Sequence, residues 1–302
     1  MPYMTFRTRL ATAVLLLLTH SGLAAETSAT LNDPRLGELS GLAASHSAPG
    51  FYWAHNDSGD IAQLYLLQPG SPQLQVHRIT NAKAFDWEDI ASFRDPGGSY
   101  LLVGDIGDNF AVRPMIEVYL LRESRHQGRP ALRLLRRYNL VFDGGPRDIE
   151  ALALDSAERM VYLLSKREVH PQLYRFSLDA LPERPVLLTT LGAITSLPSI
   201  ANHRPQRAGG ISQHSPTGLA FAPDGQGAAI STLRDSYYFP RRPGQSWLEA
   251  LNGNPQALKL PKLRQAEAIT FSADGTKIII GSEGLPTRLL TVRRPTAAQA
   301  QN

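Results

Sequence analysis

The chain has 302 residues, with 31 lysines and arginines against 27 aspartates and glutamates, for a formal charge of +4 at neutral pH. Two of those positive charges, Arg7 and Arg9, lie in the first 25 residues with no acid beside them, so the remainder is too near neutral to argue for nucleic-acid binding. Cysteine is absent, which excludes a disulfide framework, thiolate catalysis, a Cys-bearing zinc site and a lipid anchor on an N-terminal cysteine.

Residues 1–25 read as a secretory signal peptide: a basic start, an apolar run from Ala11 to Leu18, and small residues at Gly22, Ala24 and Ala25 for cleavage. That run is well short of the roughly 20 residues that span a bilayer, and no second long apolar run follows. The expected product is a monomer in the periplasm or outside the cell, with no integral membrane association. Residues 26–294 are expected as one domain, and residues 295–302 as a disordered tail.

Within that domain five segments align: ELSGLAAS from Glu38, DWEDIASF from Asp86, DIEALALD from Asp148, SPTGLAFAPD from Ser215 and QAEAITFSAD from Gln265. Each places an aliphatic anchor in one column, namely Leu42, Ile90, Leu152, Leu219 and Ile269. A second apolar run follows each anchor, starting at Phe51, Tyr100, Met160, Gly227 and Lys277, and a third follows near Ala62, Ile116, Gln172, Ser236 and Thr287. Fourth strands are weaker, around residues 75–79, 132–141, 186–191 and 257–260. Short runs rich in Val, Ile, Tyr and Phe, divided by Gly, Pro, Asp and Asn, are strands and turns. The anchors recur at intervals of roughly 50 to 65 residues, close to the roughly 40 to 50 of four-stranded blades plus insertions. The fold expected is all-β, a β-propeller of five four-stranded blades. The stretch from Ile194 to His214 is read as an insertion, and a hidden blade there would make six.

The same alignment stacks polar residues ahead of the anchors. One column holds Glu38, Asp86, Asp148, Ser215 and Gln265; two residues later come Ser40, Glu88, Glu150, Thr217 and Glu267, on the same strand face because side chains alternate with period two. The first strand of a propeller blade lines the central channel, so these columns form rings there. Carboxylates crowded into a narrow channel repel one another, and a divalent cation compensates. Glu38, Glu88, Glu150 and Glu267 are therefore the expected metal ligands. Hard oxygen donors with no thiolate and no paired-histidine spacing favour Ca²⁺, or else Mg²⁺ or Mn²⁺, over zinc. The bland alternative is that these carboxylates only hold neighbouring blades together.

The ends of the second strands place further groups at the same mouth. His55, Asn56, Asp57, Asn109, Arg234 and Glu283 are expected to contact a small or extended ligand. If the protein is a metal-dependent hydrolase of phosphate esters or lactones, Asp105 or Asp108 supplies the general base and Lys166 or Arg167 the oxyanion or phosphate contact. A third alternative is a protein-interaction platform on the top face around Tyr237, Tyr238, Phe239 and the stretch from Ile194 to His214. No G-x-S-x-G elbow, Walker loop or dinucleotide fingerprint is present.

Taken together, ELSGLAAS, DWEDIA, YLLVGDIGDN, DIEALALD and AEAITFSADG resemble exported bacterial propeller proteins over Glu38 to Val292. The opening resembles the SdiA-regulated periplasmic propellers, in which E-[IL]-S-G-L precedes D-x-E-[DG]-[IL], matched here by Glu38 to Leu42 and Asp86 to Ile90. More distantly the chain is similar to gluconolactonase-type and phytase-type propellers. Those likenesses imply a channel plan with acidic residues and Ca²⁺ or a related metal. The lactonase pattern finds counterparts only in Glu38, Asn109 and Asp105, and the phytase pattern only in sparse bases such as Lys166, Arg167 and Arg234.

Overall fold

The computed structural model describes residues 27–181, 183–198 and 211–296. The signal peptide and most of the tail lie outside the described residues, as does the middle of the insertion. Strand β1 (Thr27–Leu31) stands apart at the start of the chain. Blade 1 then comprises β2 (Leu39–Ala44), β3 (Tyr52–Asn56), β4 (Gln63–Leu67) and β5 (Leu74–Arg78). Blade 2 has β6 (Trp87–Asp95), β7 (Gly98–Asp105), β8 (Ile116–His126) and β9 (Arg129–Val141). Blade 3 is built from β10 (Ile149–Asp155), β11 (Met160–Ser165) and β12 (Gln172–Ser177). Next, β13 (Val186–Leu187) pairs in parallel with β9 of blade 2, and β14 (Thr189–Ala193) completes blade 3.

Blade 4 contains β15 (Pro216–Phe221), β16 (Gly227–Thr232), β17 (Ser236–Pro240) and β18 (Gln256–Ala257), the last preceded by the short helix α1 (Trp247–Leu251). Blade 5 has β19 (Ala266–Phe271), β20 (Lys277–Ser282) and β21 (Thr287–Arg293), and its outer strand is β1. The protein is a five-bladed β-propeller. The inner strands meet in a closed cycle: β2 touches β6, β6 touches β10, β10 touches β15, β15 touches β19, and β19 touches β2.

A blade has two apolar faces and can bury them only against its neighbours, so the core is divided into five clusters, one at each junction. Trp53, Trp87 and Ile90 pack between blades 1 and 2; Leu152 and Phe93 between blades 2 and 3; Leu219 and Tyr162 between blades 3 and 4; Ile269 and Tyr238 between blades 4 and 5; Leu42 and Ala268 between blades 5 and 1. All five anchors of the repeat are buried. Tyr238 and Phe239 are part of these junctions, so the aromatic cluster considered as a partner surface is spent on packing.

Two features were not expected from periodicity. Residues 186–187 extend blade 2, and only the continuation at 189–193 serves blade 3. Helix α1 is too short for a helical period to show, although Ser246 and Glu249 form a reciprocal capping box that marks its start.

Ring closure rests on β1, which pairs with β21 from Thr27↔Thr291 to Leu31↔Thr287 and seats Leu31 beside Leu289. Deleting residues 27–31 leaves an open edge on blade 5 and uncovers that junction. The expected fall in the thermal midpoint is about 10 °C or more by calorimetry. A midpoint within about 2 °C of the intact chain would show that the ring holds without its closing strand.

Candidate functional site

Every inner strand carries the same irregularity. The pairing of β2 with β3, β6 with β7, β10 with β11, β15 with β16 and β19 with β20 shifts register at Ser40, Glu88, Glu150, Thr217 and Glu267 respectively. A bulge leaves its extra residue out of the ladder and re-aims the side chain. Five bulges at one level thus explain how a column in the sequence becomes a ring at the upper mouth, where the inner strands begin.

The ring is not uniform. Ser40 donates to the Glu88 carbonyl at 2.8 Å and Thr217 to the Ala266 carbonyl at 2.7 Å, so these hydroxyls tie blade 1 to blade 2 and blade 4 to blade 5. Glu88, Glu150 and Glu267 face one another around Lys166, whose Nζ lies 2.5 Å from Glu150 Oε2. Burial works against the Lys166 ammonium, but the charges of Glu150, Glu88 and Glu267 outweigh it and raise its pKa. Lys166 is thus the internal counter-ion of the ring.

One lysine is too little charge for the acids present. Burial, then the neighbouring Glu150 and Asp57, pushes Glu88 well above the usual carboxylate range. Burial raises Glu150 to about 8 and Glu267 to about 7 despite Lys166, and burial with Asp57 and Asp148 raises Asp86 to about 6. Asp57, Asp86 and Glu88 form a group whose nearest oxygens all lie within 4.8 Å of one another. Two oxygens bound to one Ca²⁺ at about 2.4 Å can be at most about 4.8 Å apart, so the spacing suits a shared cation. Asp86 and Glu88 are 6% and 5% exposed, and neither carboxylate has a hydrogen bond or ion pair among the described residues. Gly107 closes over them, and a Cβ there would collide with Glu88 Oε1 and Asp86 Oδ2.

The other expected site residues divide by what they touch. Glu38 is exposed on the rim, where its carbonyl accepts from Asp57 N at 2.9 Å. Glu283 is bridged to Glu267 through Gln265, whose Nε2 donates to both carboxylates at 2.6 and 3.0 Å. Asn56 donates to Asp60 and to the Arg35 carbonyl, which fixes the loop beside Asp57. His55 lies beneath the mouth, edge-on to Trp87 at 5.8 Å and against Gly41, and burial lowers its pKa to about 4. Arg167 pairs with Asp148 and reaches Asn109, and Arg234 lies outward, 63% exposed, donating to Gln213.

Asp105 accepts from Phe85 N and Asp86 N at 3.1 Å each and pairs with Arg113 at 2.9 Å. Asp108 accepts from Val112 N and Arg113 N at 3.0 and 2.7 Å. Both carboxylates are engaged in holding the loop that carries Gly107.

Asp89 was missed. It is completely buried, and its carboxylate accepts from Ile90 N, Leu152 N and Leu219 N at 2.8, 2.8 and 3.1 Å, which are the anchor amides of blades 2, 3 and 4. Burial outweighs those three bonds and raises its pKa well above the usual range. A signal existed: the other blades carry Gly41, Ala151, Gly218 and Ala268 in this column, and only blade 2 carries an acid. Arg113 was also unassigned, and Gln265, although placed in the outer polar column, had no bridging role foreseen, since nothing local distinguishes a bridging amide from a surface one.

No protein-family model matches the chain, and no curated protein matches it. Among the described residues, no helix is long and apolar enough to cross a membrane.

Proposed function

We propose that this protein is an exported propeller that holds one divalent cation, Ca²⁺ in first place, between Asp57, Asp86 and Glu88, and uses it to bind a small or extended ligand at the upper mouth. The observation that carries this reading is the pair of buried carboxylates, Asp86 and Glu88, without a hydrogen-bonding partner among the described residues and beside a third acid at cation spacing. Leaving such groups unpaired is costly, and a cation removes the cost directly. Mg²⁺ and Mn²⁺ are the other ions the donor set admits.

Of the four glutamates expected as ligands, Glu88 belongs to this centre. Glu150 Oε2 pairs with Lys166, Glu267 accepts from Gln265 in the field of Lys166, and Glu38 stands outside on the rim. Phe85, Phe110, Val112, Val169 and Leu285 stand exposed on the connections around the same mouth, which supports a ligand with apolar parts. Binding rather than turnover is favoured because Asp105 and Asp108 spend their carboxylates on backbone amides and Arg113. The reading includes a periplasmic or secreted location, which rests on residues 1–25, and kinship with the SdiA-regulated periplasmic propellers, which rests on the motifs from Glu38 and Asp86.

Calorimetry of chelator-treated protein with Ca²⁺ tests the site. One ion per chain is expected, weakened by roughly two orders of magnitude in Asp86→Asn or Glu88→Gln. Gly107→Ala keeps every ligand but fills the space between two of them, and is expected to weaken binding as strongly. Unchanged affinity in all three variants would remove the proposal.

A further inference from the structure

The opposite mouth of the channel opens into a cavity of about 500 Å³, to which all five blades contribute. It is distinct from the carboxylate ring. Its lining begins below Asp89, at Ile90 and Leu219, whose amides bond the Asp89 carboxylate. The cavity falls within the roughly 300 to 1,000 Å³ of small-molecule sites.

Its polarity is divided. Leu154, Leu219, Phe221, Ala220 and Phe271 make a continuous apolar wall from blades 3, 4 and 5, and Phe221 is held flat by stacking on Trp247 at 3.6 Å. The acids on that side are already neutralised: Asp155 by Arg241 at 3.1 Å and Asp224 by Arg294 at 2.7 Å. The polar end lies between blades 1 and 2. Arg94 there has no carboxylate partner among the described residues and makes a single 3.2 Å hydrogen bond to the His46 carbonyl. The His46 imidazole and the Ser92 hydroxyl flank it without hydrogen bonds of their own among the described residues. A cation lacking an acid, next to two neutral donors and facing an apolar wall, is complementary to an anionic head on an apolar body.

We infer that the lower mouth is a binding site for an amphipathic organic carboxylate, with its head on Arg94, His46 and Ser92 and its tail along Leu154, Leu219 and Phe221. The site owes nothing to the cation centre above Asp89.

The test uses octanoate and its neutral isostere octanamide as probes, titrated into the full mature chain by calorimetry. Octanoate is expected to bind one per chain and more tightly than octanamide. Arg94→Gln, at an exposed position, is expected to weaken octanoate by about tenfold while leaving octanamide unchanged. Ala220→Phe fills the cavity and is expected to abolish both; if that variant does not fold, Ala91→Leu probes the same space from blade 2. Gly107→Ala, which closes the upper centre, is expected to leave octanoate binding intact, so failure of one site is separable from failure of the other. No binding of either probe, equal affinity for the two, or an Arg94→Gln protein that binds octanoate normally would overturn the inference.

Discussion

Replacing Asp89 by alanine is expected to cost about 4 kcal/mol of folding stability, because three buried amides from three blades lose their only shared acceptor at once. Each buried donor left unpaired costs about 1–3 kcal/mol. Ile90, Leu152 and Leu219 are themselves buried, as is Asp89, so water cannot easily replace the carboxylate. Asp89→Asn should cost about half as much, since its carbonyl still serves the two bonds to blades 3 and 4 while its amide opposes Ile90 N. Urea unfolding reads both values from the midpoint at constant slope. A loss under about 1 kcal/mol for the alanine variant would mean that Asp89 does not hold the channel together.

Calcium affinity is expected to rise as pH climbs from 6 to 8, with protons released as the ion binds. Asp86 at about 6, Glu267 at about 7 and Glu150 at about 8 retain protons when folded that they lose at ordinary carboxylate values when unfolded. The folded, metal-free chain therefore binds more protons than the unfolded chain across this window. Its stability is highest below about pH 4 as far as these groups are concerned, and falls as pH climbs through their folded values. Saturating Ca²⁺ should reverse that loss, so the thermal midpoint gained on adding the ion grows from pH 6 to pH 8. Calorimetry in two buffers of different ionisation enthalpy counts the protons. Affinity independent of pH, or a metal-free midpoint that rises over this window, would contradict the arrangement.

The blade plan was open to reading because each blade repeats the same local instructions. The anchors Leu42, Ile90, Leu152, Leu219 and Ile269 mark inner strands, and Asp-Gly pairs such as Asp224-Gly225 mark hairpins with a positive φ at Gly225. Blade 3 was harder, since nothing in VLLTTLGA shows that residues 186–187 join β9 while 189–193 return to β12. Parallel pairing across a blade boundary is a long-range choice, with no local period to announce it.

The site divides in the same way. The column of Ser40, Glu88, Glu150, Thr217 and Glu267 is visible in one dimension because the bulge that aims it recurs in every blade. Which acids remain unpaired is not visible there. Lys166 comes from just after β11, Gln265 from the approach to β19, and Asp57 from the loop after β3, and each acts on carboxylates that lie on other strands or connections. Coulombic interaction depends on distance in space, and partners distant in sequence become neighbours only when the ring closes.

The repeat, the all-strand character and the polar column can be read along the chain, because they follow from side-chain alternation and turn chemistry within a few residues. Only folding brings Lys166 onto Glu150 Oε2, leaves Asp86 and Glu88 without hydrogen-bonding partners among the described residues, and joins three blades through Asp89. Those outcomes depend on which buried groups find a complement, and the chain meets that constraint only after its ends are brought together by β1 and β21.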